Sequence, residues 1–358
     1  MAGDYSSHAG GAIDRRRGGG HDPRKSGPSE DPVQEATMPD TAGEPPLQPL
    51  NAAVIPRFAE AATFMRTPRV NDAAKVDIAL VGVPFDLGTG FRTGARQGPA
   101  QIREMSRIIR RVNATSRIAP FRLCNVADMG DTPVNPFDLL ESVDKITAFF
   151  KNLAEHKVAP IAAGGDHTIT LPILRGLYKG EKFGAVHFDA HADTLDTYLG
   201  TKINHATPFR RLVEEGILDP KRTIQIGLRG TRFGDDDIQY GYDVGMRIVT
   251  MDDFEEMGRR EVIKECRRVC GTGPTYITFD IDGLDPVYCI GTGVPEPGGL
   301  SMRDAQVIIR GLQGMHLIGG DICEVLPLAD PTGHTALNAA NLMFEMLCVI
   351  ADSRVNRK

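Results

Sequence analysis

Eight short apolar runs separated by segments of helical pattern limit what this chain can become more than any other feature. They are VDIALVG (76–82), RLCNVAD (122–128), VAPIAAGG (158–165), FGAVHFD (183–189), TIQIGL (223–228), MRIVT (246–250), TYITFDI (275–281) and HLIGGDI (316–322). Their apolar residues are consecutive rather than alternate, so each run would be buried on both faces, as parallel strands covered by helices are. The expectation is an α/β fold, one three-layer domain around an eight-stranded, mostly parallel sheet. Helices are expected where Pro99 opens QIREMSRIIRRV, from Pro136 through Glu155 with Leu139, Leu140, Val143, Ile146 and Phe150 at helical spacing, and after Ser301. Ligands of such a sheet collect beyond the C-terminal ends of its strands.

The first fifty residues stand apart, with 8 Gly and 7 Pro but only four Ile, Leu or Val. Such a segment buries too little apolar area to offset its ordering entropy. Residues 1–50 are therefore expected to be a disordered or partner-stabilised extension and 51–358 the folded body. The run Arg15-Arg16-Arg17 resembles half of a targeting signal, but the Gly-rich stretch after it has no hydrophobic core. Lys plus Arg is 41 against 47 Asp plus Glu, a net charge of −6 that argues against a nucleic-acid partner held through phosphates. No stretch approaches the roughly 18 consecutive apolar residues of a membrane span. The six cysteines are scattered, with no CxxC pair, which fits a reduced, cytoplasmic enzyme.

Three strand ends carry groups that bind metals. Gly164-Gly165-Asp166-His167 ends one run, Asp189-Ala190-His191-Ala192-Asp193 the next, and Asp280-Ile281-Asp282 a third. In extended backbone, residues two apart share a side, so Asp189, His191 and Asp193 would face one way, as would Asp280 and Asp282. Two imidazoles and four carboxylates would then converge. Unpaired carboxylates do not share a dry pocket without counter-charge, and two divalent cations would supply it. Mixed imidazole and carboxylate donors suit manganese or nickel better than a thiolate-seeking ion. One such motif is an ordinary strand-end loop; three together point to a dinuclear site able to activate a water.

The segments GGDHTITLPILRGL, HFDAHADTLDTYLG and TFDIDGLDP resemble signatures of the ureohydrolase family of arginases, agmatinases and guanidino-acid hydrolases. The likeness runs from GVPFDLGTGFRTGARQGPAQIR to TALNAANLMFEMLCVI, and PRFAEAATFMR, HATPFRRLVEEGILD and GTGVPEPGGLSMRDA are closer to the agmatinase branch than to arginase. The resemblance implies an arginase-like fold and hydrolysis of a guanidino compound to urea and an amine. By resemblance, His167, Asp189, Asp193 and Asp280 or Asp282 are divided between two metals, His191 completes the second, and Asp193 also hydrogen-bonds the nucleophile. Manganese is the family default and nickel the alternative. His205 matches a proton-shuttling histidine and Glu324 the carboxylate that receives the guanidinium; without the resemblance, His205 reads equally as a helix cap and Glu324 as an ion-pair residue. A homo-oligomer, trimer or hexamer, is implied, with a paralogous subunit as a further possibility.

Other features read more plainly. His187 suits either a partner of a metal ligand or a buried structural role. Cys266 and Cys270 fit packing or the surface, and Phe344, Met346 and Leu347 fit the core. Gly88-Thr89-Gly90-Phe91-Arg92-Thr93-Gly94 lacks the third glycine of a dinucleotide loop, and in the family it lies near the active-site rim, where Arg92 would shape access. Where agmatinase-like sequences commonly have Ala-Pro and Gly-Asn, this chain has Cys289-Ile290 and Gly333-His334; both pairs are expected near the pocket entrance, where they would shift substrate choice. Agmatine, 4-guanidinobutanoate, guanidine and substituted guanidines or biguanides all fit. The alternative to an enzyme is a non-catalytic structural or regulatory subunit, against which the complete set of ligands argues.

Overall fold

The computed structural model describes Gly43, residues 45–234 and residues 236–356. Strands β1 (Ile78–Val83), β2 (Val126–Asp131), β3 (Ala159–Gly164), β4 (Phe183–Phe188), β5 (Leu218–Leu228), β6 (Arg247–Thr250), β7 (Thr275–Asp280) and β8 (Leu317–Cys323) form one sheet in the order β2-β1-β3-β8-β7-β4-β5-β6. Every pairing is parallel. All eight apolar runs are therefore strands, and the sheet is wholly rather than mostly parallel. Two runs are displaced. In RLCNVAD, residues up to Leu123 belong to a helical turn and the strand continues to Asp131, whereas β5 starts at Leu218, ahead of TIQIGL.

The helices are α1 (Gly98–Met105), α2 (Pro120–Leu123), α3 (Leu139–Glu155), α4 (Thr170–Leu177), α5 (Pro208–Glu214), α6 (Asp236–Val244), α7 (Met251–Cys270), α8 (Met302–Gly311) and α9 (His334–Asn356). Side-chain caps fix several starts. Asp138 accepts from the Glu141 amide before α3, and Ser301 and Asp304 form a reciprocal capping box at α8. The helix begun at Pro99 is shorter than expected, because it tightens into a 3₁₀ turn at Ser106–Ile108.

Consecutive strand residues feed two separate cores. Ile78, Leu80, Ile161 and Ile277 pack with Ile102, Phe121, Val262, Ile308 and Leu342 of α1, α2, α7, α8 and α9, while Ala79, Val81, Ala162 and Tyr276 pack with Ile146, Phe150, Ile173 and Phe209 of α3, α4 and α5. This is the three-layer arrangement expected of two-faced burial. By length and composition α9 could cross a bilayer, but 78% of its most apolar stretch is buried inside the protein, as befits a core helix. Phe344, Met346, Leu347, Cys266 and Cys270 are all buried in this core.

Most of the N-terminal extension lies outside the described residues. Its last part packs on the body: Gln48 donates to the carbonyl oxygens of Pro45 and Phe121, and the Leu50 amide donates to Arg66 O.

Candidate active site

The four central strands β3, β8, β7 and β4 are neighbours and finish at the same edge. Each supplies part of one cluster: Asp166 and His167 after β3, Glu324 after β8, Asp280 and Asp282 at the end of β7, and Asp189, His191 and Asp193 after β4. The i, i+2 spacing works differently from the strand alternation expected of it. β4 ends at Phe188, and the carboxylate of the first residue in each motif accepts the amide two residues on: Thr168 N to Asp166 at 2.9 Å, His191 N to Asp189 at 2.7 Å, and Asp282 N to Asp280 at 2.9 Å. Repeated Asx turns, rather than pleats, aim these side chains. Asp193 and Glu324 both hold left-handed backbone, with φ of 52° and 62°. Such outliers cost of order 1–3 kcal/mol each and persist where the surroundings impose them. Gly165 is required in a different way, since a Cβ there would stand 2.2 Å from Phe85 O.

His167 is the centre of the cluster. Its Nδ1 lies 3.0 Å from Asp189 Oδ2, 2.9 Å from Asp193 Oδ2 and 3.3 Å from Asp280 Oδ2, yet no oxygen is placed to accept a hydrogen bond from it. A buried ring nitrogen crowded by three carboxylates without hydrogen-bond geometry fits a cation: donor atoms each about 2.1 Å from one ion stand about 3 Å apart. A second group lies beside it, where His191 Nδ1 is 3.4 Å from Asp189 Oδ1 and 3.2 Å from Asp282 Oδ2. Asp189 belongs to both.

The electrostatics also call for positive charge. Burial, with Asp282 and Asp189 nearby, pushes Asp280 well above the usual carboxylate range, and burial raises Asp282 to about 6 although His191 opposes it. Burial disfavours a charged His191, but Asp282 and Asp189 outweigh it and raise that imidazole to about 12. Burial opposes it, but the imidazoles of His167, His187 and His191 crowded around Asp189 hold it well below its ordinary value. The donor set therefore fits one or two divalent ions.

His205 and Glu324 adjoin the cluster. Glu324 Oε1 accepts from the His167 amide at 2.9 Å and lies 3.3 Å from His205 Nδ1. The Gly90 amide donates to His205 Nε2 at 3.0 Å, so the neutral ring carries its proton on Nδ1, toward Glu324. Burial lowers the His205 pKa, but Glu324, Asp166 and Asp193 prevail and raise it to about 9; the Gly90 amide resists that second proton, because Nε2 is its acceptor. Asp166 holds this loop from beneath, accepting from Gly88 N and Thr89 Oγ1. A cavity of about 310 Å³ opens over His191, Asp193, His205, Asp280, Asp282 and Glu324. Phe91, Tyr198, Phe233, Val294, Arg232 and Glu296 also line it.

All eight site residues singled out by sequence reasoning thus meet around one cavity or immediately beneath it. His187 is settled as a partner of the cluster, with Nε2 2.8 Å from Asp189 Oδ2. Two segments expected near the entrance serve packing. Cys289 is fully buried, its thiol against the Leu284 and Asp285 carbonyls, and neither Cys289-Ile290 nor Gly333-His334 lines the cavity. Gly291 intervenes, bridging Thr335 Oγ1 and the Leu326 amide, so both segments serve the packing of α9's start. Arg92 is exposed and lies over the Phe91 ring, which does line the cavity. Sequence reasoning gave no role to Gly90 or Asp166; the glycine-rich loop and GGDH marked both, but their contacts to His205 and Gly88 are long-range.

Comparison with known proteins agrees with this architecture. A profile of the arginase family matches residues 76–348. Guanidinopropionase from Pseudomonas aeruginosa is 49% identical over 307 residues, covering 86% of this chain and 96% of that protein. The mitochondrial agmatinase of Gallus gallus is 45% identical over 303 residues, covering 84% and 89%. Among solved structures, proclavaminate amidino hydrolase from Streptomyces clavuligerus superposes with a TM-score of 0.81 at 36% identity, covering 83% of this chain and 99% of that one. The chain belongs to the arginase family, and its likeness lies with the agmatinase-like members.

Proposed function

We propose that this protein is a metal-dependent hydrolase that cleaves a small guanidino compound to urea and an amine. The observation that carries the reading is His167 Nδ1, buried among three carboxylate oxygens at 2.9–3.3 Å with no hydrogen bond of its own. His167, Asp189, Asp193 and Asp280 would hold one divalent ion; His191, Asp189, Asp280 and Asp282 would hold the second. When bound, such a pair makes water a nucleophile at neutral pH. Manganese is favoured by family likeness and nickel by the same donor chemistry.

The chain's own residues do the rest. Glu324 offers the carboxylate for the planar guanidinium, and Gly293 leaves room there, since a Cβ on it would come within 3.4 Å of Glu324 Oε2. Asp193 orients the attacking water. Oxygen bonds to the guanidinium carbon, the carbon–nitrogen bond to the alkyl group breaks, and His205 passes a proton to the departing amine. Beyond the carboxylates the cavity carries both Arg232 and Glu296, so an acidic tail and an amine tail each meet an opposite charge. Relatives named guanidinopropionase and agmatinase span the same two chemistries. A reduced cytoplasmic setting suits the six buried thiols, and assembly as a homotrimer or hexamer follows the family.

The test is urea release from a panel of guanidino acids, agmatine and guanidine after separate loading with manganese and nickel. Wild-type protein is expected to release urea from at least one, and Asp282→Ala to lose at least about 100-fold in kcat. Equal release by the variant would refute the assignment.

A further inference from the structure

Asp321 is a carboxylate that the hydrolytic chemistry does not use. It lies on β8, fully buried, and both its oxygens accept from hydroxyls: Thr278 Oγ1 at 2.7 Å and Thr170 Oγ1 at 2.9 Å. Thr278, on β7, is also 3.0 Å from His167 Nε2. A threonine hydroxyl has one proton to give, and an ionised carboxylate can only accept. Thr278 spends its proton on Asp321, so toward His167 it accepts. The neutral ring of His167 must then carry its hydrogen on Nε2 and its lone pair on Nδ1.

We propose that Asp321 and Thr278 are positioning residues that lock His167 in the Nε2–H tautomer, so that its Nδ1 lone pair faces Asp189, Asp193 and Asp280 as a metal ligand. The inference rests on reading the cluster as a metal centre. The same proton inventory turns the neighbouring imidazole the other way. Gln225 Nε2 donates to Ala192 O at 2.7 Å, which fixes its amide end, and to His187 Nδ1 at 2.9 Å. His187 therefore accepts on Nδ1 and donates from Nε2 to Asp189. Two imidazoles touch the same carboxylate, but one presents a lone pair to the cluster and the other a proton. Of these two rings, only that of His167 is prepared to bind an ion, although the atoms of His167, His187 and Asp189 lie close enough to hold one together. A hydrogen-bonded second group of this kind typically accounts for 10- to 100-fold in metal affinity.

Affinity for Mn²⁺ alone, measured by chelator competition, tests this with wild type, Thr278→Val, Thr278→Ser and Thr170→Val. Thr278→Val should bind about 10- to 100-fold more weakly, whereas Thr278→Ser, which keeps the hydroxyl, should stay close to wild type. Thr170→Val removes Asp321's other hydroxyl, which makes no hydrogen bond to the His167 ring although it lies 3.4 Å from Thr278 Oγ1, and should cost less affinity than Thr278→Val. Wild-type affinity in Thr278→Val, or an equal loss in Thr170→Val, would overturn the relay while leaving the metal centre intact. A wild type that takes up no divalent ion would overturn the metal reading itself. Should Thr278→Val fail to fold, nitrogen NMR of ¹⁵N-histidine-labelled, Cd²⁺-loaded wild type decides: Nε2–H with Nδ1 on the metal supports the relay, and the reverse pattern overturns it.

Discussion

His205 shows how much of the site depends on where single protons sit. Its ring is held between the Gly90 amide on Nε2 and Glu324 on Nδ1, and neither contact involves Asp189, Asp193, Asp280 or Asp282. His205→Asn should therefore lower kcat by about 10²- to 10⁴-fold and leave metal content unchanged, which urea assay and elemental analysis of one preparation will show. A parallel loss of metal would mean that the residue is structural. His205 was legible in the sequence through resemblance alone, because a histidine before a helix start reads as well as a cap. The ligand motifs were legible for a more physical reason. Residues two apart converge whether the backbone is pleated or folded into Asx turns, so the same side chains come together although the local geometry differs from the one expected. The Thr278–Asp321 contact was not legible: it joins residues 43 apart, and threonine in a strand is ordinary.

The strands were the most legible elements, because burial on both faces leaves a continuous apolar run whatever the neighbours. Helix ends were less so. The pattern after Pro99 continues past Met105, but a 3₁₀ turn intervenes and Ser106 turns its hydroxyl onto Arg103 O. The loop before α9, expected near the pocket entrance because its composition departs from the family pattern, holds residues that serve the helix. Asp330 accepts from the Thr335 amide at 2.7 Å and the Thr332 amide at 3.0 Å. Partial burial raises its pKa, but these donors and the threonine hydroxyls outweigh it and lower it to about 2. A depressed carboxylate stabilises the fold above its unfolded pKa near 4, and that contribution disappears as pH falls through about 2. Asp330→Ala should therefore cost about 1 kcal/mol at pH 7, the usual worth of a capping side chain, and the gap should narrow between pH 4 and pH 2. Denaturant unfolding across that range checks it; a gap constant down to pH 2 would remove the capping role.

At the scale of the whole molecule, the sheet order places four consecutive strands, β3, β8, β7 and β4, so that their C-terminal ends meet, and the chain puts its acidic motifs there. The fold thus concentrates negative charge at one edge of a protein whose net charge is only −6. Burying Asp189, Asp280 and Asp282 together is costly unless cations share the site. The most direct test is to titrate metal-free protein with Mn²⁺, following bound metal and urea release together on a guanidino substrate the wild type turns over. Activity should appear with the metal, saturate at two ions per chain and vanish on chelation; urea release that is unchanged in metal-stripped protein would contradict the account.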